Sequence, residues 1–212
     1  MTKLYFLRHG QSMGNLERRF LGHTDLPLSD LGKKQAERVA EVLGGYGFDA
    51  IYSSDLLRAR ETAAPLAARL GIPVIPVPAL REIDAGLWEG LSFPEICASY
   101  ADSYHTFRAD IGVARPDGGE STQEVADRVF AAVTELARRN PGKTLLLTSH
   151  ATAICMFACR VLGLSPAACR SLRLPPNASL SSFDYDGGEF HMCQYGEDAY
   201  LGELRFLPPP TA

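Results

Sequence analysis

The sequence has no excess of positive charge and no long hydrophobic run. Its 21 lysines and arginines are outnumbered by 25 acidic residues, which leaves a net charge of −4 at pH 7. Nucleic-acid-binding proteins are broadly basic, so this balance argues against a nucleic-acid partner. The longest apolar helical stretch, residues 153–159, is far too short to cross a bilayer. The first residues run into a short apolar strand rather than a signal peptide. We therefore predict a cytoplasmic protein without a nucleic-acid or membrane partner.

Cysteine is also scarce. The chain has five cysteines, an odd number without a paired framework, which favours a reducing compartment. Cys155 and Cys159 lie four residues apart on one predicted helix, where packing in a core is expected more than metal binding. No two histidines have the spacing of metal ligands on a helix. The sequence therefore predicts neither a metal site nor a cofactor.

The length and composition fit one α/β domain. The chain has 212 residues, of which 46% are hydrophobic, enough to build one well-packed core. We predict a single domain over residues 1–207, with an insertion at 83–119 and a frayed, proline-rich tail at 208–212. We expect a monomer or a homodimer.

Alternating strand and helix patterns predict the fold class. Strands are predicted at 4–7, 50–53, 73–77 and 144–149, with a late hairpin over 180–185 and 190–195. Helices are predicted after Ser29, after Ser54, after the capping box that starts at Ser121, over 152–162 and from residue 165. This order predicts a three-layer α/β/α fold with a mostly parallel central sheet.

Residues 83–119 interrupt this alternation. The segment contains several glycines and a turn at 116–119, which predicts a small, mainly helical lid folded over the main body. Its aromatic side chains are Trp88, Phe93, Tyr100, Tyr104 and Phe107. We expect half or more of them to form the core of the lid and the others to be able to stack on a substrate.

Four candidate chemical groups follow the ends of predicted strands. They are the pair Arg8-His9, Arg58, Glu82 and His150. In open α/β sheets, ligands bind beyond the carboxyl ends of the strands. We therefore expect these side chains to meet at one edge of the sheet.

The residue types at this edge suit an anion. A cation beside an imidazole disfavours the imidazolium, so we expect Arg8 to keep His9 neutral, with a ring nitrogen free to act as a nucleophile. The guanidinium of Arg8 fits phosphate oxygens. Arg58 lies in the first turn of a predicted helix, where it would add to the positive end of the helix. The alternative for Arg58 is an ordinary surface arginine such as Arg60.

Several short motifs occur together and in a recognisable order. They are Arg8-His9-Gly10-Gln11-Ser12 with Asn15, the run from Gly22 to Ser29, Ser53-Ser54-Asp55-Leu56-Leu57-Arg58-Ala59 with Thr62-Ala63, Leu80-Arg81-Glu82, Gly86-Leu87-Trp88-Glu89-Gly90, Gly118-Gly119-Glu120-Ser121 and Ser149-His150. In this set the chain resembles the histidine phosphatase superfamily, the phosphoglycerate mutase-like proteins. The resemblance covers residues 4 to about 151.

The resemblance implies a role for each matching residue. His9 would attack phosphorus and become a transient phosphohistidine, while Arg8, Arg58 and His150 would bind the phosphoryl oxygens. Glu82 would protonate the leaving oxygen and later deprotonate the attacking water. Phosphoryl transfer depends mostly on positioning and charge stabilisation, so these groups suffice without a metal.

The resemblance also implies residues that contact the substrate. Asn15 and Gln11 would be neutral donors, and Gly22 and His23 lie in a motif loop that would border the pocket. The family usually has Gly where this chain has Ala151, and a Cβ there could narrow the pocket or forbid a positive φ angle.

Some of these residues have a plainer interpretation. A carboxyl that acts as an acid near neutral pH must resist ionisation, so we expect Glu82 to be partly desolvated. The alternative is a salt bridge from Glu82 to Arg81. For His23, His105 and His191 we favour structural or solvated roles.

Three functions are compatible with the resemblance. A mutase must hold a doubly phosphorylated acid, which needs extra cations over the pocket. The segment 83–117 holds six acidic residues against only Arg108 and Arg115. We therefore predict a metal-independent phosphomonoesterase acting on a small phosphorylated metabolite, most similar to α-ribazole phosphatases and broad-specificity phosphatases. The alternatives are a cofactor-dependent phosphoglycerate mutase and a non-catalytic protein that binds a phosphorylated ligand.

Overall fold

A six-stranded sheet forms the centre of the molecule. The computed structural model describes residues 1–205, apart from the side chains of residues 169 and 170. The strands are β1 (Thr2–Arg8), β2 (Ala50–Ser53), β3 (Val74–Pro76), β4 (Thr144–Ser149), β5 (Leu180–Asp186) and β6 (Glu189–Glu197). Their order is β3-β2-β4-β1-β5-β6. The first four strands run parallel to one another, and β5 pairs antiparallel with both of its neighbours, β1 and β6. The predicted α/β class and mostly parallel sheet are confirmed, whereas the predicted tail at 208–212 lies outside the described residues.

Within the described part of the chain, eight α-helices accompany the sheet. They are α1 (Met13–Leu16), α2 (Asp30–Leu43), α3 (Leu57–Leu70), α4 (Phe93–Ser99), α5 (Ala101–Ala109), α6 (Thr122–Arg139), α7 (Ala151–Val161) and α8 (Cys169–Leu172). Ser29 caps α2 and Ser121 caps α6, as predicted. Their side chains accept backbone N–H groups of the first helical turn that have no acceptor within the helix. Among residues 1–205, no helix is both long and apolar enough to cross a membrane.

The predicted cap of α3 is wrong. Its N-cap is Leu56, which has no side chain able to accept a hydrogen bond, and Ser54 lies two residues earlier. The hydroxyl of Ser54 still accepts the N–H of Leu56, but it also bonds to His150. Ser54 therefore belongs to the site at the sheet edge more than to the helix.

The sheet separates two hydrophobic cores. Successive residues of a strand point to opposite faces, so Phe6 packs with α6 and α7 on one side, whereas Leu7 packs with α2 and α3 on the other. Both side chains are fully buried. Helices on both faces leave the carboxyl ends of the parallel strands as the open edge of the fold.

The segment 83–119 has a small core of its own. Trp88 is completely buried there and packs with Ile96, and Tyr100, Tyr104 and Phe107 pack around them. Four of the five aromatic residues of this segment are thus part of its interior. The role of the segment as a lid stays a prediction.

Candidate active site

The sheet register places two histidines side by side. Strands β1 and β4 are parallel neighbours, with Arg8 paired to Ser149. His9 and His150 each follow these residues, and their ring centroids lie 5.1 Å apart. Arg58 enters from α3, which follows β2 on the other side of β4, and Glu82 comes from the segment after β3. The predicted meeting of these side chains at one edge is therefore observed.

The imidazole of His9 is held in one orientation. Its Nδ1 lies 2.7 Å from the carbonyl oxygen of Gly10. A carbonyl only accepts hydrogen bonds, so Nδ1 carries the hydrogen and Nε2 keeps its lone pair. Backbone bonds hold the residue from two sides, because its N–H donates to the carbonyl of Ser149 and its own carbonyl accepts from the N–H of Ala178. His9 thus offers a bare Nε2 at a fixed place.

The neutral state of His9 has a different main cause from the one expected. The pKa of His9 is well below the ordinary value of 6.5. Burial is the largest cause, and the positive charges of Arg58 and then of Arg8 lower the pKa further. The adjacent Arg8 was the expected cause, but removal of the imidazole from water contributes more. The outcome, a neutral imidazole at pH 7, agrees with the expectation.

Arg58 is buried and Arg8 is half-buried, and both side chains line the site. Arg58 is 1% exposed, so the surface alternative for it is wrong. It donates from Nη1 to the carbonyl of Thr24 and from Nη2 to that of Gly22. Arg8 donates to the carbonyl of Pro175, and within the described residues its buried Nε has no hydrogen-bond partner. Burial lowers the pKa of Arg8 to about 10, against an opposing effect of the Glu82 carboxylate, so this residue stays cationic at pH 7.

His150 presents an unpartnered nitrogen. It is fully buried, with Nε2 2.8 Å from the hydroxyl oxygen of Ser54, while Nδ1 has no partner among residues 1–205. Among residues 1–205, Nε2 is the only acceptor for the hydroxyl hydrogen of Ser54. Because Nε2 accepts that hydrogen bond, the hydrogen of the neutral imidazole lies on Nδ1. Burial and then the charge of Arg58 lower the pKa of His150 well below 6.5. A buried N–H donor without a partner is ready to meet an anion.

Glu82 is desolvated, as expected. It is 7% exposed, and its carboxylate accepts the N–H of Ile83 at 2.9 Å and that of Thr152 at 3.1 Å. The expected alternative, a salt bridge to Arg81, is wrong because Arg81 pairs in a bidentate way with Asp55. Glu82 therefore faces the site without a cation of its own.

A pocket of about 200 Å³ opens above these groups. Its floor is polar and holds Arg8, His9, Arg58 and Glu82. Its mouth is formed by the exposed lining residues Arg19, Phe93 and Leu174, and the apolar side chains of Phe20, Leu21 and Ile83 line it further in. Arg19 bonds to Glu17 and to the carbonyl of Gly90, and it lies 3.8 Å from Glu95. The pocket thus combines a cationic base with an apolar entrance.

Two of the predicted contact residues line this pocket. Asn15 is one of them, and its side-chain oxygen Oδ1 accepts hydrogen bonds from Ser12 and Asn177. Its side-chain NH₂ group is therefore left to donate to a ligand. Ala151 lines the pocket as the first residue of α7, and it is not among the described residues with positive φ. Its methyl group therefore narrows the pocket without backbone strain.

The other predicted contact residues lie behind the pocket. The side chain of Gln11 is buried and accepts the hydroxyl of Ser29. His23 lines a separate cleft and contacts the carbonyl of Glu82 through Nε2 at 3.0 Å. Gly22 contributes its backbone to Arg58, and a Cβ there would lie 2.2 Å from the carbonyl oxygen of Ile83. These residues support the site from outside.

Sequence reasoning missed several residues that shape the site. Asn177 donates from Nδ2 to the carbonyl of His9 at 3.1 Å and to Asn15 at 3.1 Å. Leu174 lines the mouth from the same late loop. Glu89 accepts four N–H groups from the loop at Gly22 and from Ala85. Glu89 lies in a quoted motif, but nothing in the local pattern marks the late loop.

Comparisons with known proteins agree with this geometry. The model of the histidine phosphatase superfamily (branch 1) matches residues 4–198. A relative from Cronobacter sakazakii, named "Probable phosphoglycerate mutase GpmB", is 36% identical over 87% of this chain and 86% of its own length. The solved structure of Bacillus stearothermophilus YhfR is 30% identical, with a TM-score of 0.91 over 95% of this chain and 100% of its own.

A third comparison is with a phosphatase of known structure. The mycobacterial glucosyl-3-phosphoglycerate phosphatase is 33% identical, with a TM-score of 0.84 over 92% of this chain and 99% of its own. The matching structures also include an α-ribazole phosphatase from Shigella flexneri, whose 24% identity supports the fold alone. The fold is thus shared with proteins named as phosphatases, and the sequence is similar to that of a relative named as a mutase.

Proposed function

This chain belongs to the histidine phosphatase superfamily, and from that premise we propose that it is a metal-independent phosphomonoesterase. Its substrate is a small phosphorylated metabolite, and its nucleophile is Nε2 of His9. The proposal is supported by the bare Nε2 beside two cations, the buried Arg58 and the half-buried Arg8. No metal enters the proposed steps, because the charges of the chain itself stabilise the transferring phosphoryl group.

The first step transfers the phosphoryl group to the enzyme. Nε2 of His9 forms a bond to phosphorus as the bond to the leaving oxygen breaks, and Glu82 gives a proton to that oxygen. In the second step Glu82 takes a proton from water, whose oxygen attacks phosphorus. The bond from phosphorus to Nε2 breaks, which releases inorganic phosphate and restores His9.

Three groups would stabilise the charge on the phosphoryl oxygens. Arg8 has an unpartnered buried Nε within the described chain, and His150 has an unpartnered Nδ1. Arg58 lies beside them, held by two carbonyls of the 22–24 loop. Donors already fixed by the fold need little reorganisation when charge develops on the phosphoryl group. The amide of Asn15 adds a neutral donor.

The composition of the pocket mouth favours hydrolysis over the mutase reaction. A phosphoglycerate mutase must hold a bisphosphorylated acid, whose second phosphate and carboxylate need cations beyond those at the floor. Among the lining residues of the mouth, the one cation is Arg19, and Glu17 and Glu95 already neutralise it. An apolar entrance favours an uncharged leaving group instead. The phosphohistidine then passes its phosphoryl group to water.

The mutase reaction is the second candidate, since it is supported by the 36% identity to the relative named as a mutase. The two reactions are separated by supplying 3-phosphoglycerate and measuring both 2-phosphoglycerate and released phosphate. We expect phosphate release to dominate. Interconversion that is faster than release would establish the mutase.

A second assay tests catalysis itself. We expect hydrolysis of an aryl phosphate that is unaffected by a chelator and lost in His9→Ala. His191→Ala, at an exposed position on β6, is the matched control and is expected to keep full activity. An active His9→Ala variant would exclude His9 as the nucleophile. Failure to hydrolyse any of a broad panel of phosphate esters would favour a phospho-ligand binding protein.

A further inference from the structure

One arginine of α6 donates hydrogen bonds to three backbone carbonyls in the segment that carries Glu82. Arg128 donates from Nη1 to the carbonyls of Ala79 and Arg81, both at 2.9 Å, and from Nη2 to the carbonyl of Glu82 at 2.8 Å. These three carbonyls belong to one short stretch of chain between β3 and the pocket. One planar guanidinium thus sets the path of the backbone that delivers Glu82.

Arg128 is itself held by a carboxylate. Glu120 accepts from Nε of Arg128 at 2.7 Å and from Nη2 at 2.8 Å, so the pair is bidentate. The same carboxylate accepts the N–H of Asp84 at 3.2 Å, which closes the segment on its far side. The side chains of Arg128 and Glu120 are only 24% and 18% exposed, so water competes little for these bonds. The Gly118-Gly119-Glu120-Ser121 motif therefore connects to Glu82 through Arg128.

Glu82 needs such support because its own carboxylate has few anchors. Its recorded hydrogen bonds are to the N–H of the next residue, Ile83, and to the N–H of Thr152. No cation pairs directly with it among the described side chains. Its reach toward a leaving oxygen is therefore set by the position of its backbone, and a displacement of about 1 Å can reduce a rate by about a hundredfold.

We propose that the Arg128–Glu120 pair is a positioning device for the general acid Glu82. The pair touches neither the phosphoryl group nor His9. It keeps the carboxyl of Glu82 where it can protonate the leaving oxygen. This inference rests on the proposed function, in which Glu82 is the acid of the first step.

The test uses the dependence of the rate on the leaving group. An aryl phosphate leaves readily without a proton, whereas an alkyl phosphate needs one, so a displaced acid slows alkyl ester hydrolysis selectively. General acid catalysis contributes about 10²- to 10⁴-fold, and partial displacement should remove roughly tenfold of it. We expect Arg128→Lys and Glu120→Gln each to lower kcat/KM about tenfold for an alkyl phosphate and less than about threefold for an aryl phosphate. This parameter reports only the first step, so the role of Glu82 in the second step, which both substrates share, does not enter it.

Two controls make the test specific. Arg139→Lys changes an exposed arginine of the same helix, which pairs with Glu135, and should leave the rates on both substrates unaffected. Inhibition by inorganic phosphate should stay unchanged in Arg128→Lys and Glu120→Gln, because the floor of the pocket is intact. Equal losses on both substrates, or no loss on either, would overturn the inference.

Glu82→Gln separates the inference from the function on which it rests. A selective loss on the alkyl ester in Glu82→Gln, without one in Arg128→Lys and Glu120→Gln, would refute only the positioning role. Equal rates for Glu82→Gln and wild type on the alkyl ester would refute the acid role and the positioning role together.

Discussion

Replacement of Glu89 by glutamine should loosen the loop that holds Arg58. The carboxylate of Glu89 accepts at Oε1 from the N–H of His23 at 2.6 Å and of Ala85 at 3.2 Å. At Oε2 it accepts from the N–H of Gly22 at 3.2 Å and from the N–H of Thr24 at 3.0 Å, together with the hydroxyl of Thr24. Every group around this carboxylate is a donor.

The size of the effect follows from these contacts. Glutamine keeps one acceptor oxygen but turns an NH₂ group toward the remaining donors, so at least two N–H groups lose their acceptor. Each such group costs about 1–3 kcal/mol when buried, and because Glu89 is half-buried we expect a total loss of roughly 3 kcal/mol in the free energy of unfolding. The affinity for inorganic phosphate should also fall, because Arg58 donates to the carbonyls of Gly22 and Thr24 in the same loop.

The effect should depend on pH. Burial raises the pKa of Glu89, but the hydrogen bonds from Thr24, His23 and Ala85 outweigh it and leave the pKa below the ordinary value of 4.5. A carboxyl with a lowered pKa stabilises the fold above its unfolded value and loses that contribution as the pH falls through the folded value. The difference between wild type and Glu89→Gln should therefore shrink below about pH 4.5.

The assay is urea unfolding of both proteins, at pH 7 and at acidic pH, with phosphate binding measured by calorimetry. Glu95→Gln is the matched control, because Glu95 is an exposed capping residue of α4 and its replacement should leave the free energy of unfolding close to that of wild type. Unfolding of Glu89→Gln within about 0.5 kcal/mol of wild type would refute the reasoning.

Further predictions concern the buried histidines and their neighbours. Ser54→Ala should remove the bond that fixes the hydrogen of His150 on Nδ1, so ¹⁵N NMR should show a mixture of tautomers and kcat should fall about tenfold; an unchanged spectrum would contradict the assignment. The pKa values of His9 and His150 lie well below 6.5 in the fold, so the unfolded chain binds more protons below that pH and stability falls as the pH decreases. Thermal unfolding at pH 5.5 should show a loss of up to about 3 kcal/mol relative to pH 7.5, and His9→Ala should show a weaker dependence. Asn177→Ala should lower kcat with little change in the binding of phosphate, because it removes one of the two hydrogen bonds to the carbonyl of His9; equal activity would exclude a role for Asn177.

Local signals in the sequence were sufficient for most of the elements. The side chains of Ser29 and Ser121 mark the starts of α2 and α6, and apolar spacing marks the faces that these helices bury. The prediction for Ser54 is wrong because a serine two residues before a helix resembles a cap, whereas its hydroxyl is shared with a histidine that follows β4. A local pattern carries no information about a partner 96 residues away.

The central part of the site was predictable for a topological reason. Parallel strands bring their carboxyl ends to one edge, so chemistry placed after β1 and β4 must converge there. The supporting residues were not predictable in this way. Arg128 meets Glu82 across 46 positions of chain, and Asn177 meets His9 across 168. The main cause of the lowered pKa of His9 was also missed, because burial is a property of the assembled fold and not of the neighbouring Arg8.

The central claim is that His9 carries the phosphoryl group between the two steps. Rapid mixing of the enzyme with an aryl phosphate, an alkaline quench that preserves phosphohistidine, and mass spectrometry of the peptides would test it directly. We predict a phosphoryl group on the peptide that contains His9, formed within the first turnover and absent from His9→Ala. Turnover with no phosphorylated peptide, or with the phosphoryl group on the peptide of His150, would contradict the account.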